Sequence, residues 1–519
     1  MRPLVQEIFT SHTPELLVEN LSGQSGIVLL RSNSFDAAQA RYSFVTANPF
    51  LIFQSFGSRC EIQSAISNRQ SAIHFGNPWH LLDALMARYE LLDEMDSPFP
   101  LGGAFGYWGY DLKNFTEPKL SRHAENDLEL PDCHVGFYDS LVVFDHQLGK
   151  VFIISTGLNA DGSRSEKRAS EQLEFWKTIL GKDLPQRHRD TEFGKKSLCL
   201  CASVANVSSN LSREEFIAKV QRAQKYIRAG DIYQVNLSHR LTAQLPTERR
   251  TPIRRVHQSN YQRAESEFGA PAGWDFFQKI STVSPAPFSA FLDCGEFQVA
   301  SSSPEQFLRM SGSHIITRPI KGTRPRDANP TRDAQLAYEL QTSPKELAEL
   351  VMITDLLRND LGKVCEFGSV QVPDLAKLEK FAHVQHLVST VEGRLRHDVT
   401  HFAAFASAFP GGSITGAPKF RAMEIIDELE PVSRGPYCGA MGYLGFNRES
   451  QLSIAIRTAV CARGKIHFNV GAGIVADSNP EAEYEETLAK ARGFFAALEV
   501  AERRMEISPA QRAGNIVPK

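Results

Sequence analysis

Arg318-Pro319-Ile320-Lys321-Gly322-Thr323-Arg324-Pro325-Arg326 is the stretch on which the reading of this chain turns. It sets one lysine among apolar residues, a Gly-Thr turn and arginines. Burial and neighbouring cations both favour the neutral amine, so Lys321 reads as a nucleophile or base. The competing reading is an exposed lysine in an Arg/Pro-rich loop, and the segment alone leaves both open.

Upstream, Ser301-Ser302-Ser303-Pro304-Glu305-Gln306-Phe307 places a carboxyl between Pro304 and Phe307 at a strand end. Such a carboxyl has a raised pKa and suits a general acid; the plainer reading is a helix-start acid after Pro304. Downstream, Glu346 and Glu349 lie three apart in a run of helical spacing beginning at Pro344, so both carboxylates share a face. Glu483 and Glu486 repeat the arrangement just inside a helix that starts at Pro480. Carboxylates from two helix faces, without histidine or thiolate, suit Mg²⁺ in an oxygen shell with open water positions. Each pair taken alone also fits an acid complementing the helix dipole.

Two glycine-rich turns, Phe409 to Lys419 and Asn469 to Val475, bare backbone N–H groups to an anion. The first leads into a helix and the second ends a strand; neither has the spacing of a P-loop or a dinucleotide fingerprint. Arg457, in Ser453-Ile454-Ala455-Ile456-Arg457-Thr458, alternates with apolar residues and reads as a charged group on a core strand. Bidentate carboxylate recognition is its best use, with a structural ion pair as the alternative. The residues alone thus describe a Mg²⁺ site, a carboxylate anchor, an acid and an amine nucleophile, facing a small anion with more than one carboxylate.

The 519 residues are 42% hydrophobic and 23% charged, enough for several ordinary domains or one large sandwich with additions. A net charge of −3 supplies no basic field for nucleic acid or membrane. The eight cysteines are scattered and read as reduced thiols, including Cys199-Leu200-Cys201, which lacks the spacing of a zinc site. There is no apolar signal core at the N-terminus and no apolar run near the ~20 residues of a membrane helix. The expected location is the cytoplasm.

Residues 1–190 read as one unit, with strands at Ile27 to Leu30 and Tyr42 to Thr46, a hairpin across Leu141 to Ile154, and a glycine- and aromatic-rich segment from Gly102 to Asp111. Residues 191–209 read as a polar linker. From Ser212 a capped helix runs to Gly230, and a strand follows from Ile232. Residues 244–272 carry paired arginines without a period and read as a solvated insertion. Strands and helices then alternate through 210–500, ending in a helix over about 480–500, before a polar tail at 501–519.

Taken together, the blocks Ile232 to Leu237, Ser301 to Phe307, Pro319 to Arg326, Met352 to Gly362, His386 to Ser389, Phe409 to Lys419 and Gly471 to Lys490 resemble the chorismate-utilising enzymes. These are the anthranilate synthase and aminodeoxychorismate synthase large subunits and the isochorismate and salicylate synthases. The resemblance implies an α+β fold: a large sandwich of mostly antiparallel sheets with helices outside and the site between them. It implies that Glu349 and Glu486 ligate Mg²⁺ and that Glu346 and Glu483 hold metal-bound water. Arg457, Tyr437 and the Gly471/Gly473 backbone match the grip on a substrate carboxylate. Gly322 and Thr323 match residues lining the site, His386 one beside the ring, and Lys490 a lysine near the metal.

Two positions sort the members. Isochorismate and salicylate synthases carry a lysine base where this chain has Gln234, and anthranilate synthases usually have alanine where it has Lys321. The Pro-Ile-Lys-Gly-Thr form resembles the aminodeoxychorismate synthases, in which this lysine is the proposed nucleophile and the counterpart of Glu305 the acid. Anthranilate synthesis, or a silent chorismate-binding regulatory subunit, are the alternatives. With no glutaminase segment in the sequence, ammonia is expected from a separate glutamine amidotransferase subunit. Leu29 to Ser32 and Ser284 to Phe288 match the segments that form a tryptophan pocket in relatives.

Overall fold

A computed structural model describes residues 2–32, 40–64, 71–91, 95–182, 207–245, 273–381, 384–498 and 508–509. Cys199, Cys201, the greater part of the 191–209 and 244–272 segments, and nearly all of the tail lie outside the described residues. The remaining six cysteines are free and buried. No described helix is long and apolar enough to cross a membrane.

Two large sheets face each other. The first runs, in spatial order, Leu4–Ile8, Lys150–Ser155, Ser140–Asp145, Tyr42–Thr46, Val28–Arg31, Phe288–Asp293, Phe297–Ser303, Thr458–Ala462, Lys465–Ile474, Gln234–Gln244, Val207–Ser209 and Ser508–Pro509. The second runs Ile320–Pro325, Val384–Arg394, His314–Arg318, Gln306–Ser311, Glu449–Ile454, Ala440–Gly445, Gly103–Trp108, Cys133–Tyr138, Leu51–Phe56, Arg59–Ser64 and Ser71–Phe75. Within the sheets every pairing is antiparallel except that of Val207–Ser209 with Ser508–Pro509. This is the α+β sandwich expected from the sequence. The expected hairpin is also present, with Lys150 opposite Asp145.

The chain before residue 190 and the chain after 207 contribute to both sheets. Val28–Arg31 pairs with Phe288–Asp293 in the first, and Gly103–Trp108 with Ala440–Gly445 in the second. Both sheets therefore run without a break across the two parts of the sequence.

Helix boundaries follow local chemistry. Ser212 and Glu215 form a reciprocal capping box for Arg213–Arg228. Ser343 accepts from the Glu346 N–H ahead of Pro344–Gly362, and Asn479 accepts from the Ala482 N–H ahead of Pro480–Ala497. Pro344 and Pro480 stand in the first turn, where a missing N–H costs nothing. Helix Pro344–Gly362 packs on Val384–Arg394 of the second sheet, and Pro480–Ala497 on Lys465–Ile474 of the first.

Inside, an aromatic cluster fixes the strand that begins at Gln306. Phe405, on helix His401–Ala408, meets Trp79, Trp108, Phe409 and Phe307 at ring-centroid distances of 5.0, 5.3, 5.7 and 6.0 Å. Edge-to-face contacts of this kind add to the burial of large rings. Phe405 is fully buried, so Phe405→Ala is expected to cost about 3–5 kcal/mol, whereas Phe367→Ala, at an exposed ring, leaves urea midpoints unchanged. Equal midpoints for the two variants would remove Phe405 from the core.

Candidate active site

The chain crosses between the sheets twice at one place. Pro304 and Glu305 link Phe297–Ser303 of the first sheet to Gln306–Ser311 of the second, and Ala455, Ile456 and Arg457 return from Glu449–Ile454 to Thr458–Ala462. The crossings are tied together. The Ile454 N–H donates to the Glu305 carbonyl at 3.0 Å and the Ser302 N–H to the Arg457 carbonyl at 3.0 Å, while the Ser303 hydroxyl donates to the Ile454 carbonyl at 2.6 Å.

Arg457 is thus not within a strand, as its apolar alternation suggested. It sits in the connection with a left-handed φ of 49°, a conformation a bulky residue adopts only when its surroundings impose it. Its guanidinium has no ion pair among the described residues. Burial lowers its pKa, the signature of a cation held out of water without a counter-charge.

Glu305 is buried, and burial pushes its pKa up to about 7 against the opposing pull of the Ser413 hydroxyl, Lys321 and the Ile320 N–H. Lys321, half-buried on Ile320–Pro325, also acts on Glu349. The neighbours of this amine are therefore carboxylates, which corrects the cationic surroundings expected from the arginines in its own segment. Arg324 instead faces Glu346, at 3.5 Å, and Arg318 pairs with Glu379.

The two acid pairs come together across the site. Burial raises the Glu349 carboxyl; Lys321 and Lys345 oppose that, and Glu346 and Glu486 add to it. Glu483 is buried, accepts from Ser478 at 2.6 Å, and is raised by burial and by Glu486. Lys490 donates to Glu486 at 2.8 Å and to the Gly471 carbonyl at 2.8 Å. Like charges gathered in a partly buried cleft suit a hard cation, and the donor set is oxygen alone. Among the described residues no three ligating side chains converge as a finished cage.

The opposite wall is backbone. Gly471 and Gly473 lie among the closing residues of the strand Lys465–Ile474, which ends within the Asn469 to Val475 stretch as the sequence suggested. A Cβ on Gly471 would stand 2.7 Å from the Leu237 carbonyl and 3.0 Å from the Tyr437 hydroxyl; one on Gly473 would stand 2.5 Å from the Gln234 amide nitrogen. Tyr437 and Gln234 are buried, and the Gln234 carbonyl oxygen has no partner among the described residues. His386, buried, shares a 2.9 Å hydrogen bond with Thr323 and meets the Gly322 carbonyl at 3.4 Å. Burial lowers its pKa, and Arg457 contributes to that shift. Gly322 has φ 65° and presses on Glu346, so a side chain there is excluded twice over. Pairwise neighbours thus link Glu305, Lys321, Glu349 and Glu486, Glu486, Lys490, Gly471 and Tyr437, and Arg457, His386 and Thr323.

The sequence reading missed Ser413, whose hydroxyl bonds the Glu305 carboxyl. It stands in the Phe409 to Lys419 turn, which was read for its backbone alone. That turn is held by Arg434, which donates to the Ile414 carbonyl at 3.1 Å, to the Asn236 carbonyl at 2.7 Å and to Glu430 at 2.7 Å.

A family model described as chorismate binding enzyme matches residues 37–496. The chain belongs to the chorismate-binding enzymes. It is 37% identical over 500 residues to an anthranilate synthase component 1 of Acetivibrio thermocellus, covering 96% of this chain and 95% of that one. It is 38% identical over 483 residues to an aminodeoxychorismate synthase component 1 of Klebsiella aerogenes, covering 92% and 95%. Its fold matches the crystal structure of anthranilate synthase component I from Streptococcus pneumoniae with a TM-score of 0.72 and 30% identity, over 88% of this chain and 92% of that one. As a family member it is a chorismate-utilising enzyme.

Two segments away from this cleft line a second cavity: Leu30, Arg31 and Ser32 face Pro287 and Phe288 there. Among the described residues the buried Ser32 and Tyr42 hydroxyls have no hydrogen-bond partner.

The raised Glu305 carboxyl makes a signed prediction. Its folded pKa of about 7 exceeds the ordinary 4.5, so between these values the native state binds a proton that the unfolded chain has lost. Stability should fall as pH rises through this window, at up to about 1.4 kcal/mol per pH unit. Glu305→Gln abolishes that slope. Parallel stability–pH curves for the two proteins between pH 4.5 and 7 would mean that Glu305 ionises as an ordinary carboxyl.

Proposed function

We propose that this chorismate-binding enzyme is the synthase subunit that converts chorismate and ammonia to 4-amino-4-deoxychorismate, toward p-aminobenzoate and folate. The observation that carries the reading is the half-buried Lys321 amine acting on two carboxyls, one of them Glu305, poised near neutrality. An acid with a pKa near 7 is protonated often enough to donate and ionised often enough to accept. Glu305 takes a proton from the Lys321 ammonium and leaves a neutral amine. Lys321 Nζ then attacks ring C2 of chorismate, both conjugated ring double bonds shift (C1=C2 to C1=C6, C5=C6 to C4=C5), and Glu305 delivers its proton to the departing 4-hydroxyl, which leaves as water. Ammonia attacks C4, both double bonds shift back, and the C2–Nζ bond breaks. Dividing one displacement into two is the advantage of the covalent route.

The remaining residues orient and hold. Arg457, Tyr437 and the Gly471 and Gly473 backbone take the enolpyruvyl carboxylate, the anion for which the unpaired guanidinium waits. His386 lies beside the ring, with Gly322 and Thr323 under it. Glu349 and Glu486 would hold Mg²⁺, with Glu346, Glu483 and Lys490 beside them, and the ion would supply charge to offset the ring carboxylate. Gln234, an amide where hydrating relatives have a lysine base, cannot take a proton from water, which favours ammonia as the nucleophile. Ammonia comes from a separate glutamine amidotransferase subunit, in keeping with relatives named as component 1.

The second reading is amination at ring position 2, as in anthranilate synthases; relatives of both names are about equally similar. The product decides. Incubation with chorismate, Mg²⁺ and ammonium is expected to place the amine at position 4, and Lys321→Ala to lower kcat by about 10²-fold or more. A position-2 amine, or a variant with wild-type turnover, would overturn the assignment. The second cavity is assigned to tryptophan, whose amine and carboxylate suit the unpaired Ser32 and Tyr42 hydroxyls. A raised Tm in saturating tryptophan is the expected outcome, and an unmoved Tm would make the cavity structural.

A further inference from the structure

A third cavity lies behind Tyr437. Its floor is the face of the first sheet that carries His467 and Asn469. Because side chains alternate along a strand, this is the same face that presents Gly471 and Gly473 to the cleft. Its roof is the loop Asn126–Leu130, and Tyr437 forms one wall. The Tyr437 hydroxyl also stands 3.0 Å from where a Cβ on Gly471 would be, so a single aromatic ring separates the cavity from the substrate cleft.

Size and charge define what fits. A volume of about 20 Å³ accommodates a molecule as small as water or ammonia and nothing much larger. The charged groups around it cancel: Arg240 is paired with Asp127 and Arg434 with Glu430. Burial pushes the His467 imidazole down to about 4, so it is neutral at physiological pH. The buried Arg240 Nε has no partner among the described residues. The lining thus offers hydrogen bonds and no net charge, which suits a small neutral molecule and opposes a desolvated cation. The roof is attached to the sheet by two ion pairs, Asp127 with Arg240 and Glu129 with Arg463, the latter at 2.6 Å. The second pair is exposed at both ends and exchanges readily, so the partly buried Asp127–Arg240 pair is the one that holds the roof to the sheet.

We propose that this cavity is the ammonia antechamber of the enzyme, admitting a small neutral amine beneath the Asn126–Leu130 roof and passing it by Tyr437 to the bound substrate. The inference rests on the amination reading above and adds to it a route separate from the one chorismate takes. It also locates the face on which ammonia is delivered: the surface bearing Asp127 and Glu129.

The test is steady-state amination of chorismate by ammonium chloride with wild-type protein and the Leu128→Trp, Val460→Phe and Asp127→Ala variants. Leu128 fills from the roof and Val460 from the floor, so failure of one to fold leaves the other. Both should raise the KM for ammonium about tenfold, the factor for losing one or two hydrogen-bonded positions, with the KM for chorismate unchanged. Retention of the chorismate-induced rise in Tm establishes that each variant is folded. Asp127→Ala, with a loosened roof, should accept methylamine where the wild type does not. Equal ammonium KM values in wild type and plugged variants would overturn the proposal, since ammonia would then enter through the substrate cleft. A parallel rise in chorismate KM would overturn it too, by placing the effect in that cleft. Absence of any aminated product from the wild type is a different result and sinks the amination reading itself.

Discussion

The structure depends on a double crossing. Where the chain leaves the first sheet at Ser303 and where it returns at Thr458, backbone and hydroxyl hydrogen bonds clamp the two passages side by side. Each passage carries one charged residue of the cleft, Glu305 on one and Arg457 on the other. Strand interiors satisfy their own backbone groups and leave little room for charge, whereas a crossing must turn and can afford an unusual φ. Glu305 and Arg457 are therefore held by both sheets at once, and neither can drift without breaking the clamp.

Around that clamp, charge is arranged in alternation. Glu305, Lys321 and Glu349 follow one another across the second-sheet side, and Glu486 and Lys490 continue the series toward the Gly471 carbonyl. Burial opposes ionisation of Glu305 and Glu349, and Lys321 partly offsets it for both. Arg457, in contrast, is left without an ion pair among the described residues, while Glu349 has Lys321 and Lys345 near it. The aromatic packing of Phe405 under Phe307 supplies rigidity, since it fixes the strand that follows Glu305.

Local features were legible in the sequence. Ser212, Ser343 and Asn479 announce helices, and the paired glutamates at 346/349 and 483/486 fall on helical faces because a three-residue spacing leaves them no other arrangement. What was illegible is non-local. Arg457 read as a strand residue because Ile454 and Ile456 continue the alternation through a connection that only the partner crossing reveals. Lys321 read as cation-flanked because its own segment is rich in arginine, while the carboxylates it faces arrive from the crossing just upstream and the helix just downstream, whose approach the segment itself does not reveal. Ser413 was hidden for the same reason: its partner, Glu305, lies more than a hundred residues upstream. Nor did the polar stretch before residue 210 hint that the strands on either side of it would share sheets.

That sharing has a consequence for biogenesis. Trp108 lies opposite Ala440, so the strand containing it must wait for roughly 330 further residues to leave the ribosome before its neighbour exists. The early-made strands spend that interval with bare apolar margins. The nascent polypeptide therefore cannot mature in instalments: shielding by chaperones has to last until translation is nearly complete, and a truncated message yields no half-enzyme.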